Sequence, residues 1–89
     1  MAWTIEIDRA AVRDLDKLDP QAARRILVFL HERVATLDDP RSIGEALKGS
    51  KLGEFWKYRV GDYRIISSIE DGALRVLVVK VGNRREVYR

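Results

Sequence analysis

Three strand-length segments, roughly 54–60, 63–69 and 74–81, are separated by Gly61-Asp62 and Asp71-Gly72. Short segments rich in Val, Ile and aromatic residues read as strands, and both dipeptides suit two-residue hairpin turns. The segment therefore reads as a three-stranded antiparallel meander. Counting outward from Gly61-Asp62 sets Val60 opposite Tyr63, Arg59 opposite Arg64, Tyr58 opposite Ile65 and Lys57 opposite Ile66. Because side chains alternate between faces, one face carries Trp56, Tyr58, Val60, Tyr63, Ile65 and Ile69, which reads as a core. The other face gathers Lys57, Arg59 and Arg64. Continuing the count through Asp71-Gly72 places Arg64 opposite Val79, so the chain leaves the sheet at Gly82-Asn83-Arg84-Arg85, beside those cations.

The N-terminal part adds one strand and two helices. Trp3-Thr4-Ile5-Glu6-Ile7-Asp8 alternates, and Asp8 then serves as the cap of a short helix with Val12, Leu15 and Leu18 on one face. Asp19-Pro20 pairs a capping residue with proline at the first helical position. Ala23, Ile26, Leu27, Leu30, Val34 and Leu37 follow at helical spacing up to Asp38-Asp39-Pro40. Residues 41–53, rich in Gly, Ser and Lys, read as an irregular connection with a helical turn around Ile43–Leu47. The expected fold is α+β: a two-layer β-α-α-β-β-β domain over residues 1–89, its antiparallel sheet covered on one face by an N-terminal helical hairpin.

Charge is unevenly spread. Residues 1–39 hold six Lys/Arg against eight Asp/Glu, whereas residues 40–89 hold eleven against six. A basic C-terminal half carrying its cations on an open sheet face points to phosphate groups. Arg directly opposite Arg destabilises a strand pair by a few tenths to ~1 kcal/mol, so a site for an anion is the natural reason for keeping it. The absence of cysteine removes disulfides and thiol chemistry. The single histidine, His31, sits mid-helix, and the basic face shows no carboxylate cluster for a metal. The sequence shows neither a signal peptide nor an apolar run near the ~18 residues of a membrane span, so a cytoplasmic protein without cofactor or metal is expected.

Leu47-Lys48-Gly49, Trp56-Lys57-Tyr58-Arg59-Val60-Gly61-Asp62-Tyr63-Arg64 and Val81-Gly82-Asn83-Arg84-Arg85-Glu86-Val87-Tyr88-Arg89 together resemble the RelE family of toxins. The resemblance implies a ribosome-dependent endoribonuclease that cuts mRNA in the ribosomal A site. Attack would come from the 2′-hydroxyl on the adjacent phosphate, without a metal. By motif position, the family's catalytic residues fall on Lys57, Arg59, Arg64, Arg84 and Tyr88. Asn83 stands where many relatives have a histidine, which places the chain nearer the branch that lacks it. Electrostatic stabilisation of the phosphorane by Arg64 and Arg84 would then carry the chemistry. Lys57 serves as candidate base, and Tyr88 orients the nucleophile or stacks on a nucleobase. Lys48, Lys51 and Arg85 would meet ribosomal RNA phosphates. The implied partners are the ribosome, mRNA and a cognate RelB-like antitoxin. The alternative within the same superfamily is a ParE-like toxin that binds DNA gyrase and has no nuclease chemistry.

Overall fold

The computed structural model describes residues 2–47 and 55–87. The N-terminal alternation forms strand β1 (Thr4–Ile7), and helix α1 (Arg9–Asp16) starts where the Ala10 amide donates to Asp8 Oδ2 at 3.2 Å. Helix α2 (Pro20–Val28) starts in the same way, with the Gln21 amide on Asp19 Oδ2 at 3.2 Å and Pro20 where no amide proton is needed. It continues as a π-helical stretch, Phe29–Val34, closed by the Ala35 amide donating to the Leu30 carbonyl at 2.9 Å. This wider winding keeps Ile26, Leu30 and Val34, spaced four apart, on the buried side.

Four more strands follow: β2 (Glu45–Ala46), β3 (Phe55–Val60), β4 (Tyr63–Glu70) and β5 (Arg75–Asn83). Their order in the sheet is β1-β5-β4-β3-β2. The sheet is mixed rather than antiparallel, because β1 runs parallel to β5, with Ile5 opposite Val76 and Ile7 opposite Val78. A strand joined to its neighbour by most of the chain is not restricted to hairpin pairing. The expected element order also lacked β2, whose two residues are too few for a periodic signal. The helical turn expected around Ile43–Leu47 lies earlier instead, as a 3-10 turn at Pro40–Ile43 capped by Asp39.

The β3–β4 register agrees with the count from Gly61-Asp62 at every pair from Lys57–Ile66 to Val60–Tyr63. Gly61 holds φ +58°, the left-handed geometry glycine supplies in a tight hairpin. The second turn differs. Asp71–Ala73 forms a 3-10 turn closed by Leu74 at φ +48°, so Glu70 faces Arg75 across a longer connection. A bulge then leaves Val79 without a partner between Ile66–Lys80 and Ser67–Val78. These two departures move Arg64 from Val79 to Gly82. Ion pairs brace the longer turn: Arg75 holds Glu70 at 2.6 and 3.0 Å, and Arg41 holds Asp71 at 2.7 and 3.0 Å.

The helices lie on one sheet face, and the core combines Trp3, Ala11, Leu15, Ile26, Leu30 and Val34 with Tyr58, Ile65, Val76, Val78 and Val81. Fully burying one such aliphatic side chain contributes roughly 1.5–3 kcal/mol, against ~0–1 for an exposed ion pair. Apolar packing therefore docks the helices, and the ion pairs trim the loops. Two core expectations fail. Val12 is exposed and Ala11 takes its place on the buried face of α1. Trp56 is half-buried outside the core, with the Arg41 guanidinium 5.7 Å from its ring centre. Tyr58 is fully buried; its ring meets Phe29 edge-on at 6.0 Å and its hydroxyl donates to the Pro40 carbonyl at 2.7 Å. Gly44 leaves room for it, since a Cβ there would stand 3.0 Å from Tyr58 Cε1.

Two outcomes follow from polar groups at the core and its margin. Burial pushes the Tyr58 phenol up to about 12, above the ~10 of an unfolded tyrosine. The neutral form is thus favoured by folding. Its stabilisation is complete below pH ~10 and is lost as pH rises towards 12. Thermal melts of the wild type should fall over that window, and Tyr58→Phe should fall less steeply; equal slopes would remove Tyr58 from the effect. The second group is Asp14, whose Oδ2 accepts the Val81 amide at 3.0 Å beyond the end of β1. Asp14→Ala should cost about 1–3 kcal/mol by orphaning that amide, a fall of several degrees in Tm, with Asp14→Asn recovering part of it. An unchanged melt would show that water replaces the carboxylate.

Candidate functional site

The open sheet face is organised in rows, because cross-strand partners share a face. One row runs Lys57–Ile66–Lys80 and the next Arg59–Arg64–Gly82. Lys57, Arg59 and Arg64 are thus brought together as the hairpin count requires. Lys80 joins them, a residue the shifted β5 register had concealed. Ile66 on this face is buried, so the cations surround an apolar point.

Each cation is held differently. Lys57 Nζ lies 3.5 Å from Glu45 Oε2, and Arg59 Nη2 lies 3.4 Å from Glu45 Oε1. Glu45 reaches them because β2 pairs with β3, placing Glu45 opposite Lys57. The basic face therefore contains one carboxylate, which the sequence reading did not identify. Its position, in a two-residue strand after Gly44, left no pattern from which to read it. Arg64 has no carboxylate among its contacts in the described residues; its Nη1 donates to the Gly61 and Tyr63 carbonyls at 3.0 and 2.9 Å. Those bonds direct the guanidinium along the hairpin turn.

The segment after β5 closes on that same turn. Tyr63 pairs with Asn83, and the Arg84 amide donates to the Asp62 carbonyl at 2.9 Å. Arg84 is therefore anchored next to Arg64 through its backbone, with its side chain exposed. Asn83 supports the turn: its Oδ1 accepts the Arg85 amide at 3.0 Å, and its carbonyl accepts the Glu86 and Val87 amides. Arg85 is exposed on this turn. Tyr88, Lys48 and Lys51 lie outside the described residues. His31 is exposed on the π-helical stretch, and among the described residues no group of three His, Cys, Asp or Glu could hold a metal ion.

A recess of about 420 Å³ adjoins this face, lined by Phe29, Arg33, Ile43, Glu45, Lys57 and Arg59. It gives the cation pair an apolar flank from the helix and from the 3-10 turn. The arrangement can accept a phosphate between guanidinium groups and seat an apolar or aromatic moiety against Phe29 and Ile43. Arg33 is a further cation here that the strand-based reading did not include.

The whole chain has relatives. The sequence profile of the ParE toxin of the type II toxin–antitoxin system parDE matches residues 5–88. Toxin RelG of Mycobacterium tuberculosis is 29% identical over 100% of this chain and 99% of its own length. Toxin RelE of the same organism is 31% identical over 98% of this chain and 87% of its own. The toxin–antitoxin complex RelBE2 of M. tuberculosis contains a chain with TM-score 0.86 and 26% identity, covering 97% of this chain and 95% of that one. With its five-stranded mixed sheet, two helices and full-length match, the chain belongs to the RelE/ParE superfamily of toxins of type II toxin–antitoxin systems.

Proposed function

We propose that the protein is a ribosome-dependent mRNA endonuclease, neutralised by a RelB-like antitoxin. The observation that supports this best is the Arg59–Arg64 cross-strand pair beside Lys57, with Arg84 tied to the adjoining turn. In this reading the 2′-hydroxyl oxygen forms a bond to the adjacent phosphorus and the bond to the 5′ oxygen breaks. The products are a 2′,3′-cyclic phosphate and a 5′-hydroxyl. Arg64 and Arg84 stabilise the negative charge of the phosphorane, for which one positioned donor contributes ~3–4 kcal/mol. Lys57 or Glu45, held 3.5 Å apart, takes the 2′ proton, and water protonates the departing 5′ oxygen; Glu45 adds an acceptor-only group to the site. Tyr88 orients the nucleophile or stacks on a nucleobase, and Lys48, Lys51 and Arg85 contact ribosomal RNA. The ribosome would align the mRNA, a contribution that proximity alone makes large.

A second reading is favoured by the family name of the matching profile: a ParE-like toxin that binds DNA gyrase without cutting RNA. Primer extension on mRNA engaged by purified ribosomes separates the two. Expected is cleavage on ribosomes and little on free RNA, undiminished by EDTA once ribosome integrity is restored with a separate control. Arg64→Ala and Arg84→Ala should each slow it about a hundredfold or more. Intact mRNA together with inhibited gyrase supercoiling would establish the second reading instead.

Glu45 provides an independent check. It competes with RNA phosphate for Lys57 and Arg59, so Glu45→Gln should bind a 2′-deoxy, non-cleavable mRNA analogue on the ribosome several-fold more tightly. If Glu45 also takes the 2′ proton, cleavage should fall about a hundredfold. Weaker binding together with a lower Tm would make Glu45 a purely structural partner of the two cations.

A further inference from the structure

Beyond Val78, strand β5 has no strand on its β1 side among the described residues, and a recess of about 360 Å³ opens at this free edge. The recess straddles the sheet. Leu18 and Tyr63 wall it on the helix side. Gly82 and Val87 wall it on the other, where a Cβ added to Gly82 would stand 3.7 Å from Val87 Cβ. Its polar lining has mixed charge: the ammonium groups of Lys17 and Lys80 beside the carboxylates of Asp14 and Glu86. One Asp14 oxygen accepts the Val81 amide at 3.0 Å. The side chains of Lys17, Lys80 and Glu86 make no hydrogen bond or ion pair among the described residues. This recess adjoins the proposed catalytic face directly, since Gly82 lies opposite Arg64 and Lys80 opposite Ile66. Neighbouring strands are ~4.8 Å apart, so the backbone that walls the recess is one strand spacing from that of Arg64.

We propose that this recess seats a nucleobase of the mRNA next to the scissile phosphate, with its exocyclic amino group on the Glu86 carboxylate and a ring acceptor on the Lys17 ammonium. The proposal rests on the ribosome-dependent cleavage reading above and adds to it the residues that select the base. The lining chooses the ligand. Asp14 and Glu86 oppose a second phosphate or an acidic peptide, whereas two ammonium groups beside two carboxylates suit a neutral molecule carrying both donors and acceptors. Apolar walls at Leu18, Tyr63 and Val87 suit a flat ring, which aromatic side chains hold whatever its identity. A volume of about 360 Å³ lies at the lower end of small-molecule sites, ~300–1,000 Å³, with room for one base. Gly82, opposite Arg64, puts no side chain between the phosphate site and the recess. The polar groups then discriminate. A carboxylate only accepts, so it favours the amino groups of cytosine, guanine and adenine and opposes the carbonyl that uracil carries in place of cytosine's amino group.

The test measures cleavage rates, by primer extension, of ribosome-bound mRNAs that differ only at the two nucleotides flanking the cut. Cytosine is compared with uracil, and guanine with inosine, which lacks the 2-amino group. Wild type, Glu86→Gln and Lys17→Gln are assayed side by side. Both positions are exposed, circular dichroism melts check the fold, and Glu86→Ala replaces Glu86→Gln should a melt fall. At one of the two positions the wild type should cut the amino-bearing member of each pair about tenfold faster. Glu86→Gln should bring that ratio to within about twofold of unity, chiefly by slowing the amino-bearing mRNAs. Lys17→Gln should slow both members of each pair, because both keep a ring acceptor. A tenfold preference that survives Glu86→Gln would belong to the ribosome and would overturn the recess assignment while leaving the cleavage reading intact. Equal wild-type rates within both pairs would overturn it in the same way. A wild type that cuts no ribosome-bound mRNA, whatever the base, would overturn the cleavage reading and the recess with it.

Discussion

Strand β5 has neighbours on both sides, and its backbone groups need partners along both edges. The β4 side is paired to the end of the strand, from Glu70–Arg75 to Tyr63–Asn83, with one bulge at Val79. The β1 side is not, because β1 ends at Ile7 opposite Val78. Beyond it the Asp8 amide takes the Val78 carbonyl, and the Asp14 carboxylate takes the Val81 amide. A helix side chain thus finishes the edge that a strand began. Without such a partner a part-buried amide would be orphaned, although the last residues of β5 keep their pairing to β4. The tail cations are placed from the other edge, where Asn83 pairs with Tyr63 and the Arg84 amide bonds to the Asp62 carbonyl.

The opposite requirement governs the open face. Cations gathered on one sheet face repel one another unless a neighbouring group relieves them. Glu45 does so locally, spanning Lys57 and Arg59, whereas Arg64 turns to backbone carbonyls of its own hairpin. Both solutions are weak enough to give way, since the ion pairs are 3.4–3.5 Å long and Arg59 remains largely exposed. A tighter, buried pair would hold the free protein together better and would cost more to displace. The face is therefore organised before an anion arrives without being closed to it.

Hairpin counting made half of this site legible. Gly61-Asp62 is a two-residue turn with a glycine in the left-handed region, so every β3–β4 pair, including Arg59–Arg64, followed from arithmetic. The caps Asp8 and Asp19 were equally plain because capping is local chemistry. What was hidden depended on distant residues. Leu74 adopts a positive φ within a turn braced by Arg41 and Arg75, and no local pattern announces a leucine there. The Val79 bulge and the two-residue β2 are likewise set by sheet partners, which is why Gly82, Lys80 and Glu45 were misplaced or missed at the site. Val12 and Ala11 exchanged roles because an eight-residue helix tolerates a small rotation when alanine can meet the sheet closely.

Two cationic surfaces of one small domain differ in what lies between their charges. On the open sheet face Lys57, Arg59, Arg64 and Lys80 surround polar backbone and one buried isoleucine. On α2 the arginines frame valine and phenylalanine. Phosphate, strongly hydrated and apolar nowhere, gains from the first and little from the second. A common edge at Phe29 and Arg33 joins them. The separation follows from the chemistry of the two floors rather than from distance, since less than one helix turn divides Phe29 from Arg33 along a π-helical stretch that both surfaces share.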